Sequence, residues 1–189
     1  MKNWKATTFV AISAMAALTT ILSLPGAILA GLTGIAIFSG IGNVFMIGIM
    51  YPLIPLLFKR VGALTLWSVI SGILAIPFPI MGPPGLFIKV IYSALWGILG
   101  DITYFVFKKS EKLSAIAIAT IQLAPGVPIA VFFWSILGLP EIAAQYSNFG
   151  NLSWFFIVSG IIFGALLGYL SYLIYKKIEK TTIVRRIQK

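Results

Sequence analysis

The chain has 189 residues, 60% of them hydrophobic and 10% charged, with a mean hydropathy of +1.05 and a net charge of +10. A soluble domain carries about 25% charged residues, so the composition excludes an ordinary water-soluble fold and predicts an integral membrane protein. The chain has neither cysteine nor histidine, which excludes disulfides, Cys- or His-based metal sites and Ser-His or Cys-His catalytic pairs.

Only four acidic residues remain for a carboxylate site, so no enzyme activity, metal or cofactor is expected. A charge of +10 on a soluble protein would suggest nucleic acid. Here the basic residues fall in short clusters between apolar runs, so they report orientation in a bilayer, and no nucleic-acid partner is expected.

In chain order, a short basic start (Met1 to Lys5) leads into Ala6–Leu24, an uncharged apolar run. It is long for a signal-peptide core and is not followed by a small-x-small cleavage site, so it reads as the first spanning helix, stopped at Pro25-Gly26. Ala27–Phe58 is charge-free and longer than the about 20 residues one span needs. Gly31, Gly34, Gly40 and Gly42 predict a loop or broken segment first, with the second helix over residues 35–58.

The third span is expected over Val61–Ile80, closed by Pro77, Pro79 and Gly82-Pro-Pro-Gly85. The fourth follows over Leu86–Phe107, and the fifth over Leu113–Leu137 with an interruption at Pro125–Pro128. Gly138–Asn151 is the longest polar connection, and Leu152–Tyr175 is the sixth span. The expected fold is therefore all-α, with six transmembrane helices in one domain over residues 1–180 and a basic cytoplasmic tail over 181–189.

Six spans place both termini on one side. Thirteen of the fourteen Lys and Arg residues then fall on that side: at the N-terminus, at Lys59-Arg60, at Lys108, Lys109 and Lys112, and in the tail. The positive-inside rule makes this side cytoplasmic.

The exception is Lys89, alone inside an apolar run. A charge in hydrocarbon costs several kcal/mol, so it requires a polar cavity, a partner or a route by which it snorkels to the interface. Lys89, Tyr92, Ser93, Trp96 and Gly100 share one side of the fourth helix and offer a cation, hydroxyls and a large ring. This suits an organic ligand with a negative or strongly polar group. A snorkelling lysine above an interfacial aromatic belt explains the same pattern.

Further candidates for ligand contact are Gln122 beside the proline break and Trp134 in the fifth run. Tyr146, Asn148, Asn151 and Trp154 join them, where amides that both donate and accept stand beside rings. Asp101 reads as a structural carboxylate that pairs with Lys108 or Lys109 or caps a neighbouring helix. Small residues on the first helix, Ser13, Ala16, Ala17 and Thr20 among them, form a flat face for a partner subunit or for packing within the chain.

This pattern resembles the substrate-binding S component of the energy-coupling factor (ECF) family of vitamin importers. The resemblance rests on size, on six spans with both ends inside, on the opening Ala6–Thr20 and on Gly97-Ile-Leu-Gly100. In place of the family's Ala-x-x-x-Ala pattern the first helix offers Ser13-x-x-x-Ala17 and Ala16-x-x-x-Thr20.

The resemblance implies a multi-pass protein of a prokaryotic plasma membrane that binds a vitamin or related micronutrient. The ligand would lie near the outer surface, among the first loop, the fourth to sixth helices and the fifth loop. The partners it implies are a transmembrane coupling subunit and two ATPase subunits. The chain itself has no Gly-x-x-x-x-Gly-Lys-Ser/Thr loop. A stand-alone secondary transporter or channel for a small organic solute is the alternative.

Overall fold

The computed structural model describes residues 4–34, 37–80, 82–136 and 153–188, and all regular structure among them is helical. The helices are α1 (Ala6–Thr33), α2 (Ile37–Phe58), α3 (Ala63–Leu74), α4 (Ile88–Phe107), α5 (Glu111–Leu123), α6 (Gly126–Ile136), α7 (Ser153–Ile178) and α8 (Thr182–Gln188). Among the described residues, α1, α4 and α7 are long and apolar enough to cross a membrane. Their outward faces are apolar, with Val10, Ile21 and Leu32 on α1, Leu95, Ile102 and Val106 on α4, and Ile162, Leu166 and Leu173 on α7 all exposed. Such faces suit lipid.

At the centre lies α2. Every residue from Tyr51 to Phe58 is buried, because the helix is apolar all round and packs against α1, α3, α5 and α7. Helix α7 packs closely on α5. Gly160, Gly164 and Gly168 repeat at every fourth position, and a Cβ on them would stand 2.7, 2.6 and 2.6 Å from the backbone of Ala124, Thr120 and Ala115. Small residues at this spacing let two backbones touch, which supplies helix association where lipid removes the hydrophobic drive.

Three boundaries differ from expectation. The first helix does not stop at Pro25-Gly26 but runs to Thr33, where Gly34 closes it with a left-handed φ of 70°. Glycines 31 and 34 thus end a helix instead of starting a loop. The hydroxyls of Thr19, Thr20 and Ser23 donate to the carbonyls of Met15, Ala16 and Thr19, one turn back along the helix. None of these is the Ile21 carbonyl that Pro25 leaves without its amide, but proline is tolerated inside membrane helices where neighbouring helices pack against it.

The third helix has 12 residues where a span of twenty was expected. Pro77 and Pro79 do not continue it, and turns occupy residues 75–80 instead. The fifth run is broken as expected, between Leu123 and Gly126. Finally, the last residues form helix α8, whose Val184 is buried in the main core. Of the segment expected to be a tail, this helix is therefore docked.

At one end of the bundle, Glu111 joins three helices. It accepts from Lys59 at the end of α2 (3.0 Å), from Lys176 on α7 (2.9 Å) and from the Tyr175 hydroxyl (3.3 Å).

Candidate functional site

Helix α3 lies antiparallel on α4, and two charged residues of α4 close its ends. Asp101, 4% exposed, accepts from the Thr65 amide (2.8 Å), the Thr65 hydroxyl (2.6 Å) and the Leu64 amide (3.4 Å). These amides belong to the first turn of α3, so Asp101 acts as a cap supplied from another helix. Lys89, 1% exposed, donates to the carbonyls of Ala75 (3.1 Å) and Phe78 (2.6 Å) just past the other end. The anion sits at the positive end of the helix dipole and the cation at the negative end.

The two helices approach through glycine. A Cβ on Gly97 would stand 2.6 Å from the Thr65 Cα, and one on Gly72 would stand 2.9 Å from the Val90 Cα.

Next to this pair lies a small cavity of about 40 Å³, bounded by α1, α2, α3 and α4, with a mostly apolar exposed wall. Thr19, Thr20 and Ser23 line it from α1, Asn43 and Tyr51 from α2, Trp67 and Ser71 from α3, and Ser93 from α4. Among the described residues, no charged side chain lines it. Tyr51 and Trp67 meet edge to face with centroids 4.9 Å apart. The Trp67 Nε1 and the Ser71 Oγ are buried and have no hydrogen-bond partner among the described residues. In native proteins such groups are rare.

Of the expected ligand contacts, the structure gathers four on or against α4. Lys89 is engaged by α3. Tyr92 packs on Trp96 (6.0 Å) and on Phe133 of α6 (4.6 Å). Trp96 is buried, and its carbonyl accepts from the Gln122 side chain of α5 at 3.0 Å, so Gln122 ties α5 to α4. Trp154 points away from the bundle, 78% exposed. Tyr146, Asn148 and Asn151 lie outside the described residues, as does the Trp134 side chain.

Asp101 caps a neighbouring helix, one of the two roles expected for it. Of the expected docking residues, Ala16 and Thr20 are buried and face into the fold, and Ser13 and Ala17 are half-buried. Packing within the chain accounts for the first two.

The cavity was not anticipated as a site. Its signals were present in the sequence as the hydroxyl run Thr19, Thr20 and Ser23, and as Trp67 and Ser71 one turn apart on the third apolar run.

No protein-family model, curated protein or solved structure matches this chain.

Proposed function

We propose that the protein is a six-span membrane subunit that binds a small organic solute within its bundle and passes it to a separate energising partner. This is the role of an ECF-type S component in a prokaryotic plasma membrane. The observation that carries this reading is the cavity between α1, α2, α3 and α4, whose lining among the described residues includes hydroxyls, an amide and an indole ring but no charged side chain. Polar groups at membrane depth are costly and are retained for function. The alternating placement of basic clusters supports six spans, and the absence of a nucleotide-binding loop is in keeping with energy from another subunit.

A stand-alone carrier is the second reading. Such proteins use intramembrane charges for coupling, and here both Lys89 and Asp101 are engaged by α3. The two readings separate by purification from native membranes. An S component brings down a coupling subunit and two ATPases and does not transport alone in liposomes. Solute uptake by the purified chain alone would refute the proposal.

A further inference from the structure

The lysines at the Glu111 end of the bundle differ in how their charge is met. Glu111 accepts from Lys59 and Lys176, and Glu179 accepts from Lys176 as well. Lys108, just past the end of α4, and Lys112, in the first turn of α5, are exposed and form no ion pair among the described residues. Glu111 stands next to Lys112 in the chain, but both of its oxygens are taken.

The two amines are folded back on aromatic rings. Lys108 Nζ lies 4.2 Å from the centre of the Phe105 ring, and Lys112 Nζ lies 5.0 Å from that of Tyr169. Phe105 precedes Lys108 by about one turn of α4. Tyr169 precedes Lys176 on α7, and the seven residues between them span about 10 Å of helix. Both ammonium groups are therefore turned away from the end of the bundle and toward its apolar spans. A lysine that merely snorkels extends the other way, out to water.

The surface beneath these amines faces outward. Phe105 and Tyr169 are exposed, and so is Leu113 on α5, the helix that packs against both α4 and α7. An apolar surface thus carries two uncompensated cations at its rim, at the level where lipid phosphates meet hydrocarbon.

We infer that Lys108 and Lys112 hold the headgroup of an anionic phospholipid, whose acyl chains lie against Phe105, Leu113 and Tyr169. The phosphate diester accepts from the two ammonium groups. A zwitterionic headgroup brings its own cation to the same phosphate, so a lipid of net negative charge is preferred. A basic residue at an anionic membrane surface is worth about fivefold in affinity. The inference requires only that α4, α5 and α7 meet the bilayer, and it stands apart from the solute role and from the energising partner.

Native mass spectrometry of the purified full chain tests it. The protein is held in micelles with equal amounts of phosphatidylglycerol and phosphatidylcholine of identical acyl chains. The parent should retain phosphatidylglycerol over phosphatidylcholine by about tenfold, from two lysines at the value above. Lys108→Gln with Lys112→Gln should lower that ratio several-fold and leave thermal unfolding unchanged, since both side chains are exposed. Arg185→Gln with Arg186→Gln removes the same charge from α8, which packs on α1 and α2, and should leave the ratio as it is. The inference is overturned if the parent prefers neither lipid, or if the two double variants lower the ratio equally, which would mean a diffuse basic surface. It is also overturned if inorganic phosphate at the lipid's concentration displaces the bound phosphatidylglycerol, which would make this a site for a soluble anion. Solute uptake by the chain alone would refute the delivery role and leave these results standing.

Discussion

Lys89 and Asp101 stand twelve residues apart on α4 and close opposite ends of α3, one through carbonyls at its C-terminal end and the other through amides in its first turn. The spacing follows from length. A helix of 12 residues is about 18 Å long, and twelve residues of the partner helix cover the same distance. Such a helix is shorter than the ~30 Å hydrocarbon layer. Unsatisfied amides or carbonyls there would have no water to bond, so its ends need partners from the protein. The lysine that looked too expensive for an apolar run thus has its compensation in α3.

Asp101→Ala should destabilise the protein by about 2 kcal/mol, the range for hydrogen bonds to a buried charged group and for a lost helix cap. Asp101→Asn keeps an acceptor and should lose less than half of that. Thermal unfolding in detergent reads both. Because Thr65 donates to the carboxylate through its amide and its hydroxyl, Thr65→Val and Asp101→Ala should be non-additive. Additive losses would show that the carboxylate does not act through Thr65.

Lys89→Met keeps most of the length of the side chain and removes its donors. It leaves the carbonyls of Ala75 and Phe78 without that partner and should cost about 1–3 kcal/mol. Its effect on solute binding separates two roles. A lysine that contacts ligand would weaken binding at least about tenfold, the worth of one such bond, at any stability. A lysine that clasps the cavity wall should lower the unfolding temperature first, with the loss of solute binding no greater than the loss of folded protein. The second pattern is expected.

Gly97→Ala tests the interface that these residues bracket. The added methyl would meet the Thr65 Cα at 2.6 Å and the Ser68 Cβ at 2.9 Å, and backbone cannot turn aside as a side chain can. Overpacking of this kind costs about 1–3 kcal/mol. Gly126→Ala, with nothing within 4 Å of its added methyl, is the matched control and should leave thermal unfolding unchanged. Equal effects of the two would remove the close-approach argument.

Glu111 predicts an acid-side effect. Burial alone would raise its pKa, but the hydrogen bonds from Lys176 and Lys59 outweigh it and bring the carboxyl below its ordinary value. A depressed folded pKa contributes stability that is present above the unfolded value, about 4.3, and lost as pH falls through the folded one. The unfolding temperature should therefore drop below about pH 4.3, and Glu111→Gln should flatten that drop. The ion pair is partly exposed, so the slope is small and shrinks in high salt. An unchanged slope in Glu111→Gln would assign the acid sensitivity elsewhere.

How much of this was legible in the sequence depends on range. Hydropathy is local, so the positions of α2, α4, α7 and the break at Pro125 follow from runs and breakers alone. Pro25 misled because a proline is a helix stop in water but is tolerated within a membrane helix. The role of Lys89 needed a contact with Phe78, eleven positions away across a turn. That of Asp101 needed one with Thr65, thirty-six positions away. The cavity was harder still. Thr20 and Trp67 belong to different apolar runs, and nothing in either run states that the two helices face each other. The Gly160–Gly164–Gly168 repeat, by contrast, was readable as it stood.

The six-span orientation can be tested cleanly because the chain has no cysteine. Lys109 and Lys180 are exposed at opposite flanks of the segment that contains α5, α6 and α7, and Pro83 is exposed just before α4. If the broken fifth run crosses once and α7 crosses once, Lys109 and Lys180 share a side. If α4 crosses once, Pro83 lies on the other. The basic clusters make the shared side cytoplasmic. In intact cells, a membrane-impermeant maleimide should therefore label Pro83→Cys, and should label Lys109→Cys and Lys180→Cys only after permeabilisation. Labelling of Lys109→Cys and Lys180→Cys on different sides would mean that α5 and α6 form a re-entrant hairpin, and would reduce the spans to five.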